Sequence, residues 1–207
     1  MSWETIVDDV RGTLEGMHKA RESALSQSRQ LIQTSSKCIR HIHRKQYAEA
    51  ENLLNDARNI AKKAREDAKN YPEILYAGYI QDGEKEMVEA AAVLAISQGR
   101  PMPSPGELGV QVTSYLNGMG EAASEARRFL LDEMRAGRYE VAERILHEME
   151  KIYDDLITFD FPDGLTGGLR RTCDALRAVI ERTRSDLTMT LSQGELLNEL
   201  KKYNSRP

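Results

Sequence analysis

The sequence predicts an all-α protein, and three observations support that fold class. Apolar residues recur at the helical interval of about 3.6 residues along almost the whole chain. Aromatic residues make up only 6% of the sequence and runs of β-branched residues are almost absent, so no segment has the pattern of a strand. The breaks between periodic segments are short and read as helix–helix connections. We therefore expect one antiparallel helical bundle that spans residues 1–207 as a single domain.

Helical periodicity divides the chain into seven predicted helices. The first covers residues 3–45, where Leu25, Ile32 and Ile39 are among the apolar side chains at helical intervals. The second covers residues 48–69 and ends before Pro72, because the residue that precedes a proline avoids the helical region. The other five predicted helices cover residues 72–97, 107–135, 139–158, 169–190 and 192–203.

Gly, Pro and capping residues set the ends of the later helices. The connection 99–106 contains three prolines, and Gly137 follows the fourth helix. Ser192 with Glu195 three residues later resembles a capping box, which predicts that a new short helix begins there. Segments 45–57 and 137–149 look alike, but their tyrosines lie 92 residues apart, which is no multiple of a 34-residue helical repeat. We interpret that similarity as shared helix chemistry.

The composition is that of a soluble globular chain. Of 207 residues, 40% are hydrophobic and 30% are charged, which is enough for a core of useful size. No apolar run approaches the roughly 20 residues that span a membrane, and the N-terminal residues lack the features of a secretory signal. The net charge of −4 argues against a protein that coats nucleic acid over its whole surface.

Several common types of site are missing from the sequence. Cys38 and Cys173 fit no metal-ligand spacing, so we expect reduced core thiols in a cytoplasmic protein and no structural zinc. The four histidines have no evident catalytic partner, and no P-loop or GxGxxG motif occurs. We therefore expect no small-molecule cofactor.

A basic stripe runs along the first predicted helix. No Asp or Glu occurs between Ser23 and Ala48. An unpaired basic run favours an anionic partner, and phosphate is the usual one, although a solvated helix face is the alternative. The basic and polar residues of this run are Arg29, Gln33, Lys37, Arg40, His41, His43 and Arg44.

An acidic pair lies where the third predicted helix turns apolar. Glu86 and Glu89 are three residues apart, so they share a helix face and repel each other. The apolar run 90–96 follows at once, and charges are rarely buried unpaired. A divalent cation with oxygen ligands would relieve the repulsion, while a solvated surface pair is the alternative.

Glycines and further acids mark the fourth predicted helix. Gly118 and Gly120 interrupt good helix formers and cost roughly 1 kcal/mol each relative to Ala, which predicts close packing or a functional approach there. Glu121 and Glu125 follow them on one face.

Four segments of the chain, in this order, carry a family resemblance that covers nearly its whole length. Residues 28–44, SRQLIQTSSKCIRHIHR, have Ser-Arg near the start, then a basic residue and a terminal His-Arg. GEKEMVEA at 83–90 holds the acidic pair, and 115–128 has a tyrosine-leucine-x-glycine segment followed by Glu121 and Glu125. Tyr153-Asp154 precedes the last long loop. In these features the sequence resembles the translin family, and translin-associated factor X more than translin, which has basic and apolar residues at the acidic pair.

The resemblance implies a fold and an activity. It implies a seven-helix subunit that assembles into a closed octameric shell of identical chains and binds single-stranded RNA, or single-stranded DNA, on its inner surface. It also implies a metal-dependent endoribonuclease that uses Mg²⁺ or Mn²⁺. The catalytic and metal-ligating acids would be Glu86, Glu89, Glu121 and Asp154. Glu125 is a weaker candidate, because translin shares it. The nucleic-acid-binding residues would be Arg29, Lys37, Arg40, His43 and Arg44.

Two departures from the family pattern bear on this inference. Gly78 stands where relatives tend to have a basic residue, and Asp155 replaces a glycine after Tyr153-Asp154.

Two other hypotheses remain open beside the nuclease. One is a non-catalytic shell that binds single-stranded nucleic acid, and the other is a helical scaffold with neither nucleic-acid affinity nor metal dependence.

Overall fold

The computed structural model describes residues 1–204, which form helices and no strand. Six helices are long: α1 (Trp3–His43), α2 (Tyr47–Ala68), α4 (Tyr79–Gln98), α6 (Val112–Arg135), α7 (Tyr139–Leu156) and α9 (Leu169–Asn204). Three are single turns: α3 (Pro72–Leu75), α5 (Pro105–Leu108) and α8 (Asp163–Thr166). The predicted all-α fold is confirmed.

Helix α4 is the central element of the bundle. It packs against α1, α2 and α6, and residues 90–96 of α4 are buried throughout. The alanine-rich sequence of this run lets the neighbouring helices approach on every side, as close packing of a core requires. The side of α2 that faces the core is also mostly alanine, with Ala50, Ala57 and Ala61 buried.

Glycine brings α6 against α4 at one point. A Cβ atom on Gly118 would lie 2.7 Å from the carbonyl oxygen of Lys85 and 2.7 Å from Cβ of Val88. A Cβ on Gly120 would lie 2.5 Å from Thr172 of α9. Close packing therefore accounts for both glycines, as expected from the sequence.

The structure divides or joins the predicted helices differently at three places. The predicted helix 107–135 is divided into α5 and α6, because Gly109 adopts a left-handed conformation with φ of 65°. The predicted helix 72–97 is divided into α3 and α4, because Gly78 adopts a left-handed conformation with φ of 95°. The predicted break at Ser192 does not occur, and α9 continues to Asn204. A serine hydroxyl caps a helix only where the preceding chain has left the helical conformation, and here the preceding residues are already helical.

One helical hairpin geometry is used twice. Three residues connect α1 to α2 and three connect α6 to α7. The middle residue of each connection is left-handed, with φ of 59° at Lys45 and 74° at Gly137. Segments 45–57 and 137–149 thus share a hairpin turn as well as helix chemistry.

The two thiols and the hydropathy of the helices agree with the sequence analysis. Cys38 and Cys173 are free and buried, and burial raises the pKa of the Cys38 thiol to about 12. None of the helices in residues 1–204 combines the length and the apolar character that crossing a membrane requires.

Candidate functional site

Three carboxylates from two helices converge beside the buried part of α4. Glu86 and Glu89 lie on α4 and Glu121 lies on α6, and one oxygen from each lies within 4.8 Å of the others. The contact between α4 and α6 at Gly118, three residues before Glu121, brings the two helices to this distance. We call these three residues the carboxylate cluster.

The cluster is half-buried and electrostatically unfavourable when fully ionised. Burial raises the pKa of the Glu89 carboxyl to about 8, and the charges of Glu86 and Glu121 act in the same direction. Burial also raises the pKa of Glu86, with a further contribution from the charge of Glu121. Lys85 provides a partial counter-charge, because its Nζ donates to Oε1 of Glu121 at 2.7 Å. One lysine for three carboxylates leaves the cluster suited to an added cation.

Glu125 extends this acidic surface by one turn of α6. Its charge contributes to the raised pKa of Glu89, and its Oε1 lies 2.6 Å from Nε2 of His43. By family resemblance Glu125 is the weaker candidate, because translin shares it. Its spacing of four residues from Glu121 was the signal that places it on the same face.

The structure does not bring Asp154 into the carboxylate cluster. Asp154 is exposed on α7 and lines a separate groove with Arg177 and Arg184 of α9. Helix α7 buries Ile152 and Leu156 in the core, and two residues along a helix correspond to about 200° of rotation. Asp154 therefore points away from the core, and the expectation that it converges with the acidic pair is not met.

The basic stripe of α1 is mostly exposed, as a binding surface requires. Arg29, Lys37, Arg40 and Arg44 are exposed, and within residues 1–204 none of them forms an ion pair. His43 is different, because its side chain is only 5% exposed and contacts Glu125. The structure thus places His43 between the stripe and the acidic surface, where it positions Glu125 rather than facing solvent.

The donor set of the cluster fits a hard divalent cation. Carboxylate oxygens are the ligands that Mg²⁺ and Mn²⁺ prefer. The three oxygens within 4.8 Å come from helices held in a packed core, so bringing them together costs little further conformational entropy. Burial and then the neighbouring carboxylates raise the pKa of Glu89, and a bound cation would act in the opposite direction.

The chain is similar to one curated protein and to several solved structures. No family model matches it. It is 29% identical over 191 residues to an uncharacterized protein of Methanocaldococcus jannaschii, covering 91% of this chain and 84% of that protein. It is 35% identical to AfC3PO in a complex with duplex RNA, with a TM-score of 0.82 over 90% of this chain and 97% of that one.

Two further structures give the same relationship. The crystal structure of AfC3PO has 36% identity and a TM-score of 0.84, with coverage of 90% of this chain and 97% of that one. The structure of apo-NeC3PO has 26% identity and a TM-score of 0.80, with coverage of 89% and 96%. These are C3PO proteins of the translin type. With the same fold, nearly full coverage and identity above 30%, the chain belongs to the translin family and is of the type that resembles translin-associated factor X.

Proposed function

We propose that this protein is a metal-dependent endoribonuclease that cleaves single-stranded RNA or the unpaired regions of RNA. The observation that carries the proposal is the carboxylate cluster, in which Glu86, Glu89 and Glu121 approach within 4.8 Å in a half-buried site. Like charges at this distance are costly without a cation. The exposed basic stripe of α1, which His43 and Glu125 connect to the cluster, supplies a surface for a polyanion.

The three residues of the cluster would hold Mg²⁺ or Mn²⁺. Such a cation supplies Lewis-acid activation of water and stabilises charge on a phosphodiester. The chain contributes the arrangement of the ligands: Lys85 holds one oxygen of Glu121, and a hydrogen bond of 2.6 Å joins His43 Nε2 to Glu125 Oε1. Partial burial of Glu89 keeps bulk water from one side of the site.

RNA is the nucleic acid that the relatives support best. AfC3PO has been solved with duplex RNA, and an RNA ligand for this chain follows by similarity. Arg29, Lys37, Arg40 and Arg44 would contact phosphates, which carry charge but little sequence information. We therefore propose that the protein has only weak preference for RNA sequence. The cleavage assay below compares single-stranded with duplex RNA.

Assembly of the protein into a shell is part of the same proposal. Helix α1 exposes apolar side chains at helical intervals near its start, including Trp3 at 72% and Leu14 at 59%. The end of α9 exposes Leu196, Leu200 and Tyr203. Contiguous exposed apolar side chains mark contact surfaces, which supports a homo-oligomer, for which we propose eight copies. A cytoplasmic location remains part of this proposal.

A cleavage assay tests the proposal. A labelled single-stranded RNA and its duplex are incubated with Mg²⁺, with Mn²⁺ and with EDTA. We expect metal-dependent cleavage of the single strand, reduced about 100-fold or more in Glu89→Gln and Glu121→Gln because each variant removes a ligand charge. Glu143→Gln, an exposed substitution of the same kind on α7, serves as the matched control.

The variant Asp154→Asn distinguishes the ligand set indicated by the structure from the one implied by family resemblance. Because Asp154 lies outside the carboxylate cluster, we expect this variant to keep most of the activity. Loss of activity in Asp154→Asn equal to that in Glu121→Gln would contradict our ligand assignment.

A non-catalytic RNA-binding shell is the second candidate function. The ion pair between Lys85 and Glu121 favours it, because a protein cation already offsets part of the acidic charge. Tight RNA binding without cleavage, in the presence of either Mg²⁺ or Mn²⁺, would support this alternative.

A further inference from the structure

A basic groove lies on α2, away from the α1 stripe. It has a volume of about 580 Å³. Its basic lining comes from Arg58, Lys62 and Arg65 of α2 and from Lys69, which follows α2 directly, and Tyr76 also lines it. We call this set of residues the α2 groove. The four basic residues recur at helical intervals, so they follow one face of α2 over roughly 16 Å.

Two of the four basic residues are already paired. Arg65 bonds the fully buried Glu84 at 2.5 Å, and Lys69 pairs with Glu66. Arg58 and Lys62 form no ion pair within residues 1–204. Nε of Arg58 is buried and has no hydrogen-bond partner among the described residues. Arg58 is partly exposed and Lys62 is exposed, so the groove offers two cationic side chains to an anion.

The acids near the groove do not neutralise these two cations fully. Glu66 is engaged with Lys69. Glu107 caps α5, where it accepts hydrogen bonds from the backbone and the hydroxyl of Ser104 at 2.7 Å. Glu66 is therefore held by another partner, whereas the hydrogen bonds from Ser104 and also the charge of Arg58 lower the pKa of the Glu107 carboxyl, so Glu107 offsets part of the Arg58 charge. The groove still presents four basic side chains against these two acids.

A second cavity lies next to the α2 groove and is lined in part by Glu121 of the carboxylate cluster. It has a volume of about 510 Å³ and shares Tyr76 and Gln111 with the α2 groove. Its lining includes Lys85 and Glu121, which belong to the region of the cluster, and Arg171 of α9. Tyr76, at the junction, is 67% exposed. The two cavities thus meet at an exposed aromatic ring, with Glu121 of the cluster lining one and Lys62 and Arg58 lining the other.

We infer that the α2 groove binds the sugar–phosphate backbone of the RNA strand on one side of the cleavage position, with Tyr76 stacking on a base. This inference rests on the proposed function. A strand passing from the cluster would meet first the ring of Tyr76 and then Lys62 and Arg58. Stacking on aromatic rings and charge contacts along a groove are how proteins hold single strands without reading sequence. Long substrates would therefore bind more tightly than short ones that reach only the cluster.

Binding of a long single-stranded RNA in EDTA tests the inference without cleavage. The change is Arg58→Ala with Lys62→Ala, and affinity is measured by fluorescence anisotropy over a range of salt concentrations. Each lost phosphate contact on a single strand reduces the salt slope by about 0.7, so we expect a reduction of about 1.4 and weaker binding. Lys63→Ala is the control for Lys62→Ala, because Lys63 is the next residue and lies outside the groove. Tyr76→Leu should weaken binding while Tyr76→Phe preserves it.

The outcomes separate this inference from the proposed nuclease. Wild-type binding that the double variant leaves unchanged in affinity and salt slope would overturn the α2 groove alone. Absence of RNA binding by the wild-type protein would overturn both proposals. A reduced slope in a protein that never cleaves RNA would support the groove and reject the nuclease. Equal weakening of a short oligonucleotide by the double variant would also overturn the inference, because it would indicate a general effect on the fold.

Discussion

At the scale of single residues, Glu89 connects stability to pH. Its pKa in the folded protein is about 8, against an ordinary value of 4.5. Between those two pH values the folded protein therefore binds more protons than the unfolded chain, and stability falls as pH rises through this window. Since one pKa unit corresponds to about 1.4 kcal/mol and relaxation reduces the effect of a half-buried group, we expect a loss of roughly 1 to 3 kcal/mol from pH 5 to 8 in EDTA.

Chemical denaturation at several pH values measures this dependence. In Glu89→Gln the decline should largely disappear, because the group no longer ionises. Adding Mg²⁺ should raise stability more at pH 8 than at pH 5, since a cation binds the ionised carboxylates. A wild-type protein whose stability is flat or rises from pH 5 to 8 in EDTA would contradict this account of Glu89.

Individual residues also show where sequence reasoning succeeded. The pairing of Glu86 with Glu89 follows from their spacing on one helix, which is a local property. The positions of Glu121, Glu125 and Asp154 relative to that pair depend on how separate helices pack. The sequence assigned Glu121 and Asp154 by family resemblance, and only Glu121 lies in the cluster. Asp154 lies on the face of α7 opposite to its apolar side chains. The helical period of α7 alone predicts that position.

At the scale of elements, the contact between α4 and α6 determines the geometry of the site. A methyl group at Gly118 would meet the carbonyl oxygen of Lys85 at 2.7 Å, and a backbone atom in a packed core cannot move aside freely. We expect Gly118→Ala to destabilise the protein by about 1 to 3 kcal/mol, despite the better helix propensity of alanine. To accommodate the methyl group, α6 would have to move away from α4. That movement would separate Glu121 from the acidic pair and weaken metal binding.

Gly12→Ala is the matched control for this substitution. Gly12 also lies inside a long helix, but a Cβ there would meet nothing within 4 Å. Gly12→Ala should therefore stabilise the protein by about 0.5 to 1 kcal/mol through helix propensity alone. Thermal unfolding and Mg²⁺ titration of the two variants provide the comparison. Equal effects on stability would show that α4 and α6 are not in close contact at Gly118.

At the scale of the whole molecule, the exposed apolar sides of α1 and α9 predict assembly. We expect the wild-type protein to have the mass of eight chains of 23.4 kDa each. Val10→Glu with Leu14→Glu should produce smaller species, because charges would replace two exposed apolar side chains of α1. Light scattering or native mass spectrometry measures the mass, with Glu143→Lys, at an exposed position of α7, as the control. A wild-type monomer would contradict the shell proposal.

The sequence by itself determined the helical class, because the 3.6-residue period and the scarcity of strand-forming residues are local properties. Local spacing also predicted the acidic pair at Glu86 and Glu89 and the basic stripe of α1. Only the tertiary structure decided which carboxylate joins the pair, that His43 contacts Glu125, and that a cavity lined in part by Glu121 lies next to the α2 groove. The physical reason is that these contacts join residues far apart in the chain. Their distances are set by the approach of packed helices at small residues such as Gly118, which no local period encodes.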